Sequence, residues 1–299
     1  MADQLHKHEH LIARLFVLPA LIGLLGFVLL PFALAVTLSL TNLRLGSPLP
    51  LEFLGIEQYR RIFTDYTFLR ALRNTMLFAL IIVPLQTGLA LSLALLINQP
   101  LRGIVVFRTV FFMPVVFPLS LVSVVWVLLF APGSAGLLNS LLEIVSFGAW
   151  QPKDFLHDTA WALPAITLTS VWQGVGFQMV ILLAALQSIP EELYQAARID
   201  GANRRQQFVF IALPQLRNAL IFVVLVTTIL AFRLFDQVQI MTQGGPQYAT
   251  TTIMYEAVNA AFASQQVAKG AAMTVVFFVL VLLLTLLQRF LLRQERAVA

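Results

Sequence analysis

Five stretches of this 299-residue chain, 15–43, 74–101, 109–142, 159–190 and 270–288, contain no charged side chain at all. Each supplies the roughly 20 apolar residues that a bilayer crossing needs. A sixth, 218–232, is short, and it extends to about Met241 if Arg233 and Asp236 lie near its outer end. An unpaired backbone amide costs several kcal/mol in lipid, and no barrel-like alternation is present, so the spans are helical. The expected fold is an all-α polytopic membrane protein with six transmembrane helices at about 15–40, 74–98, 109–131, 159–189, 218–241 and 270–292. These form one permease-sized domain, 15–292, between polar tails 1–14 and 293–299. Pro19, Pro31, Pro84, Pro114, Pro118 and Pro164 mark span ends or kinks, which predicts bent, mutually packed helices.

Composition narrows the function. Only 11% of residues are charged, against about 25% in a soluble domain, so an ordinary cytosolic enzyme is excluded. The chain has no cysteine, which removes disulfides, thiolate metal sites and cysteine nucleophiles. Its net charge of +5 is unclustered, which argues for membrane orientation rather than nucleic-acid binding. Eleven basic residues, Lys7, Arg14, Arg102, Arg108, Arg198, Arg204, Arg205, Arg217, Arg289, Arg293 and Arg296, fall on the side of the tails, and eight fall on the other, which places both termini in the cytoplasm. The apolar run after Arg14 is too long for the h-region of a cleaved signal, although Ala33-Leu34-Ala35 resembles a cleavage site.

Between Ile56 and Leu72 apolar residues recur every three or four positions, which predicts short helices lying on the outer membrane face. No phosphate-binding loop, H-E-x-x-H or G-x-S-x-G occurs, so the chain neither hydrolyses ATP by itself nor carries a catalytic or metal site. His6, His8 and His10 alternate in the polar tail and take no role.

The loop 190–217 holds far more than a return crossing requires. Pro190, Glu191 and Glu192 open a helix where proline lacks no useful donor and carboxylates meet the positive end of the dipole. Leu193, Ala196, Ala197 and Ile199 are expected on one apolar face. Gly201 then punctuates a second stretch, beginning near Ala202, whose Phe208, Ile211 and Leu213 form another apolar side before Pro214. This is a docking element, or else an amphipathic loop resting on headgroups.

The run Gln195-Ala196-Ala197, three residues, Gly201, nine residues, Ile211-Ala212-Leu213-Pro214 resembles the cytoplasmic signature of ATP-binding-cassette importer permeases, E-A-A-x3-G-x9-I-x-L-P. The leading glutamate of that family is Gln195 here, which replaces a salt bridge to the ATPase with hydrogen bonding. Asn74-Thr75 at the start of the second span, Phe235-Asp236 and Thr242-Gln243-Gly244-Gly245-Pro246 resemble the carbohydrate-uptake branch, the maltose and glycerol-phosphate type. The resemblance implies a type I importer fold, a second permease subunit, two ATP-binding subunits that use ATP and magnesium, an extracytoplasmic solute-binding protein and a bacterial-type inner membrane. It assigns coupling to Glu191, Glu192, Gln195, Ala196, Ala197, Asp200, Gly201, Ala202, Ile211, Leu213 and Pro214.

For the solute path, Ser170, Trp172, Gln173, Gly174, Phe177 and Gln178 offer amides and aromatic faces suited to a sugar. The same aromatics also suit lipid-facing or packing positions. Phe235 lies beside Arg233 and Asp236, which are one turn apart and either pair outside the membrane or leave Arg233 to attract an anionic polyol. A secondary transporter would need intramembrane carboxylates, and spans one to four have none. A scaffold that recruits a cytoplasmic protein through loop 190–217 is the remaining alternative.

Overall fold

The computed structural model describes residues 16–99, 103–133 and 136–292. The tails, with His6, Lys7, His8, His10, Arg14, Arg293 and Arg296, and also Arg102, lie outside the described residues. The described residues are helical, apart from loops and one isolated antiparallel bridge between Thr41 and Phe53.

The chain divides into two compact units, Met1–Asp65 with Ala257–Phe277 and Tyr66–Glu256 with Phe278–Ala299. The first contains α1 (Phe16–Ser39), apolar enough to cross a membrane and with no buried residue in its most apolar window, and α2 (Glu57–Thr64). α2 is the first part of the amphipathic stretch that begins at Ile56. Tyr59 bonds Ser39 hydroxyl to hydroxyl at 2.6 Å, and Gln58 Nε2 donates to the carbonyl of Thr41 at 2.9 Å. Lys269 Nζ donates to Asp65 Oδ2 at 2.6 Å, fastening the later segment of the unit to the end of α2.

In the second unit α3 (Tyr66–Ile97) packs mainly on α7 (Ala162–Gln187). α4 (Ile104–Val116) and α10 (Arg217–Phe232) flank the pair. α3 starts at Tyr66 rather than at residue 74, so residues 66–72 are its first turns and not a separate surface helix. A span limit drawn at the nearest charge fails here because Arg70 and Arg73 belong to a helix that projects beyond its apolar stretch. The third span is broken: α4 and α5 (Leu119–Leu129) meet at 101°, where Phe117 turns extended ahead of Pro118.

A nine-residue helix, α6 (Leu137–Val145), precedes α7, and an aromatic cluster of Trp150, Phe155 and Trp161 with Lys153 over the Trp161 ring closes this end. The fifth span is also interrupted. α10 stops at Phe232, residues 233–235 are non-helical, and α11 (236–242) resumes with a π-type turn over Val238–Thr242. The last span, α13 (Val267–Leu292), follows α12 (253–263) and exceeds its expected start by three residues. Among the described residues four single helices, or up to six spans if each bent pair counts as one, are long and apolar enough to cross a membrane.

Helices α3 and α7 run parallel, because Ala90, Ala94 and Ile97 near the end of α3 share a buried cluster with Met179, Leu182 and Leu186 near the end of α7. Ala212, Leu216 and Val223 join that cluster, so the polypeptide up to Leu186 and again from Ala212 is seated in one core. Close approach requires glycine at one crossing: a Cβ on Gly176 would stand 1.9 Å from the carbonyl oxygen of Phe111 in α4.

Candidate coupling helix and central cavity

Two features stand out in the second unit: an exposed helix beyond the end of α7 and a polar cavity beside its middle. The exposed helix is α8 (Glu191–Ile199). Pro190 caps it in an extended conformation, Glu191 and Glu192 fill the first turn, and Arg198 sits in the last, an arrangement matched to the helix dipole. Arg198 also pairs with Glu191.

Its C-terminus is a Schellman motif. Gly201 adopts φ +79°, its N–H donates to the carbonyl of Arg198 at 3.1 Å, and the N–H of Ala202 donates to that of Ala197 at 2.8 Å. Asn203 then opens α9 (Arg204–Gln215) with a capping box: its Oδ1 accepts from Gln206 N and its own N–H donates to Gln206 Oε1. The C-terminus of α8 and the N-terminus of α9 are therefore both satisfied within the loop, which stiffens it between the exposed helix and the buried anchors Ala212 and Leu216.

No residue of α8 is buried. Glu192, Gln195, Ala196 and Asp200 are exposed, while Ala197 and Ala202 are half-buried. Leu193, Ala196 and Ala197 share a face, but Ile199 does not join them: six residues from Leu193 is about 240° round a helix, and Ile199 is 86% exposed. Burial, and next the Glu191 carboxylate, hold the Tyr194 hydroxyl above the usual phenol range. In α9, Ile211 is half-buried and Leu213 and Pro214 are exposed. The anchors are instead Ala212 and Leu216, small or turned inward ahead of the 65° bend between α9 and α10.

The cavity, about 330 Å³, is lined by α3, α4, α5, α7, α10 and the broken segment that follows α10. It collects Ser170, Gln173, Gly174, Arg233, Phe235 and Asp236 from the sequence-derived set. Trp172, Phe177 and Gln178 stay outside its lining. Trp172 lies 200° round α7 from Ser170 and meets the Trp126 ring edge-on at 5.7 Å. Phe177 lies about two turns beyond Ser170, past the lined stretch, and Gln178 is buried between helices, its Nε2 donating to Thr227 Oγ1 at 2.7 Å. Arg233 and Asp236 are both exposed at the cavity and form no ion pair with each other, because the chain between them is not helical.

Two amides of the cavity escape the sequence argument. Gln86 of α3 points its Nε2 at the carbonyl of Ser170, 3.3 Å away, and Gln237 Oε1 accepts from the Ser170 hydroxyl at 3.0 Å. Gly174 exists to admit Gln86: a Cβ there would lie 2.1 Å from Gln86 Nε2. An amide alone in an apolar stretch is the signal that could have found Gln86.

Asn74 and Thr75, two turns inside α3 rather than at its start, hold the conspicuous run beyond α11. Asn74 Nδ2 donates to the carbonyls of Tyr248 and Thr251 at 2.8 and 3.0 Å, and Thr75 Oγ1 accepts from Ile253 N at 3.1 Å. Thr242 and Thr250 bond hydroxyl to hydroxyl at 2.7 Å across the Gln243-Gly244-Gly245-Pro246 turn. Gly244, at φ +80°, would bring a Cβ within 2.8 Å of the Tyr255 ring.

These features belong to a known kind of chain. The "Diacetylchitobiose uptake system permease protein NgcF" of Streptomyces coelicolor is 36% identical over 260 residues, 84% of this chain and 73% of that protein. The "Sulfoquinovosyl glycerol transport system permease protein SmoG" of Agrobacterium fabrum is 34% identical over 93% of this chain and 89% of its own length. A crystal structure of a bacterial ABC transporter that imports the acidic polysaccharide alginate superposes with TM-score 0.84 over 99% of this chain and all of that one, at 20% identity, and so shares the fold. Residues 86–296 match the family described as "Binding-protein-dependent transport system inner membrane component", and the chain belongs to that family.

Proposed function

We propose that this chain forms half of the translocation path of an ATP-driven importer for a neutral sugar or related polyol, and that α8 is the plug by which an ATPase subunit moves it. As a permease subunit the chain is not itself an enzyme. Its partners are a solute-binding protein, a second permease subunit and two ATP-binding subunits, which bring ATP and magnesium. Both termini and loop 190–217 face the cytoplasm, in keeping with the eleven basic residues on that side.

The observation that carries the coupling role is the combination at α8: no residue of it is buried, yet its C-terminus is closed by the Schellman motif, its first turn carries Glu191 and Glu192 at the positive end of the dipole, and the flanking polypeptide is locked into the α3–α7 core. A stiff, unpartnered helix on a rigid base transmits a displacement. ATP-driven closure of the ATPase pair would draw the docked helices together and bias the spans from inward-open to outward-open, through contacts that differ between the two states. Gln195 would contribute a hydrogen bond where the family has a carboxylate.

The cavity supports the solute class. Gln86, Gln173, Gln237, Ser170 and Thr227 offer donors and acceptors for hydroxyls, Phe235 offers a face for C–H surfaces, and Arg233 and Asp236 cancel in charge. The uptake systems named for diacetylchitobiose and sulfoquinovosyl glycerol are similar in sequence across most of the chain. An anionic polyol is the second reading, favoured by the exposure of Arg233 at the cavity without an ion pair to Asp236.

Proteoliposomes that contain the assembled complex, ATP inside and the binding protein outside, test the proposal against a panel of sugars and phosphorylated polyols. ATP-dependent flux of a neutral sugar that survives Arg233→Gln supports the first reading, and flux of an anion abolished by Arg233→Gln supports the second. Binding-protein-independent flux driven by a proton or sodium gradient would remove both.

A further inference from the structure

We infer that a second binding site, on the side of the α3–α7 pair turned away from the polar cavity, holds one anionic phospholipid. The two stripes of α3 separate the sites. Phe78, Ile82 and Gln86 face the cavity, whereas Leu77, Ile81, Leu85 and Leu89, at successive steps of four, line a groove of about 630 Å³. From α7, Leu163, Leu168 and Val171 form its other wall, while Ser170 and Gly174 look into the cavity. The four α3 side chains of the groove are each 37–46% exposed. A second permease that completes a polar path docks on the cavity side, so the opposite side meets hydrocarbon.

Length and charge identify the occupant. Leu77 to Leu89 spans twelve residues, about 18 Å along a helix, close to the ~15 Å of one leaflet in a 30 Å hydrocarbon core. Arg70 and Arg73 line the same groove one to two turns beyond Leu77, at headgroup depth and at the end away from α8. Neither is in an ion pair among the described residues, and Arg70 Nε is buried with no hydrogen-bond partner. No acidic residue lines the groove. Two guanidinium groups over an apolar slot one leaflet deep fit a phosphodiester with its acyl chain. They do not fit a free anion, which would leave the slot empty, or a zwitterionic lipid, whose ammonium or choline the arginines repel.

The test uses the whole importer complex in nanodiscs of phosphatidylcholine doped with a phosphatidylglycerol that carries a diazirine on its acyl chain. Photolysis and peptide mapping should place the label on residues 77–89 and 163–171. Excess unlabelled phosphatidylglycerol should remove it, and phosphatidylcholine or inorganic phosphate should not. Arg70→Gln with Arg73→Gln should lower labelling by about tenfold, the loss of roughly 1.4 kcal/mol of binding. Leu85→Trp, which fills the slot and spares the arginines, should do the same. Labelling spread evenly over all lipid-facing helices, competition by phosphate, equal labelling by a phosphatidylcholine probe, or a photoreactive residue at Leu85 captured by the second permease would each overturn the assignment. The natural chain alone decides the first three, so misfolding of a variant leaves the proposal exposed to refutation.

Discussion

Gly174→Ala is expected to damage the cavity through one neighbour, and the damage is expected to be reversible. The new Cβ would stand 2.1 Å from Gln86 Nε2, where ordinary contact begins at 3.4 Å, so the amide must retreat by about 1.3 Å. That retreat breaks its 3.3 Å approach to the Ser170 carbonyl, a link between α3 and α7. Interhelical hydrogen bonds in membranes are worth about 0.6 to 1.7 kcal/mol, and overpacking adds about 1 to 3 kcal/mol. Alanine returns up to about 1 kcal/mol of helix propensity, so the net cost should be about 1 to 3 kcal/mol. Removing the clashing head by Gln86→Ala should leave Gly174→Ala neutral or stabilising in that background, because the methyl then fills vacated space. The assay is a double-mutant cycle on the denaturation of the assembled complex in detergent, with solute flux in proteoliposomes recorded for the same four proteins. If the two changes add to within about 0.5 kcal/mol, Gln86 and Gly174 are not coupled and the packing argument is wrong.

Gly176→Ala should cost at least as much as Gly174→Ala and have no side-chain suppressor, since its obstacle is the backbone oxygen of Phe111; complex yield and melting temperature check this. Gly201→Val should weaken ATPase co-purification and coupled transport, because φ +79° in a branched residue costs about 1 to 2 kcal/mol, while Gly201→Asn should be the milder change in the same pull-down. Asn74→Ala leaves the carbonyls of Tyr248 and Thr251 without their shared donor, so limited proteolysis should cut the 243–252 segment faster than in the natural chain. Lowering the pH should release His157 from Asp154 only below the usual carboxylate range. Although burial raises the Asp154 carboxyl, the side-chain and backbone hydrogen bonds from His157 outweigh it and hold the group below its usual range. A depressed carboxylate contributes above its unfolded pKa and is lost as pH falls through the folded one, so the His157 NMR shift should report a transition below the usual carboxylate range.

The helical class and loop 190–217 were legible because both rest on local rules: charge-free length for the spans, and Pro-Glu-Glu at one end with glycine at the other for α8. Charge as a boundary marker misplaced the start of α3, since Arg70 and Arg73 sit within a helix longer than its apolar part. The 101° break at Phe117–Pro118 was hidden inside an unbroken apolar stretch, where a proline can equally begin a turn or be absorbed. Arg233 and Asp236 are one turn apart only if the chain there is helical, and it is not. Gln86 and Gln237 carry no spacing that points to Ser170, 84 and 67 residues away in the chain, so that cluster is visible only once the helices are packed.

The chain has no cysteine, which makes the coupling claim directly measurable. A single cysteine at Ile199, set against cysteines on the ATPase surface in the assembled complex, should cross-link in high yield, change yield between ATP-bound and nucleotide-free states, and block solute flux once formed. A control cysteine at the equally exposed Phe147, in the loop ahead of α7, should not cross-link. Cross-linking that favours Phe147 over Ile199, or full transport by a chain from which α8 is deleted, would contradict the account.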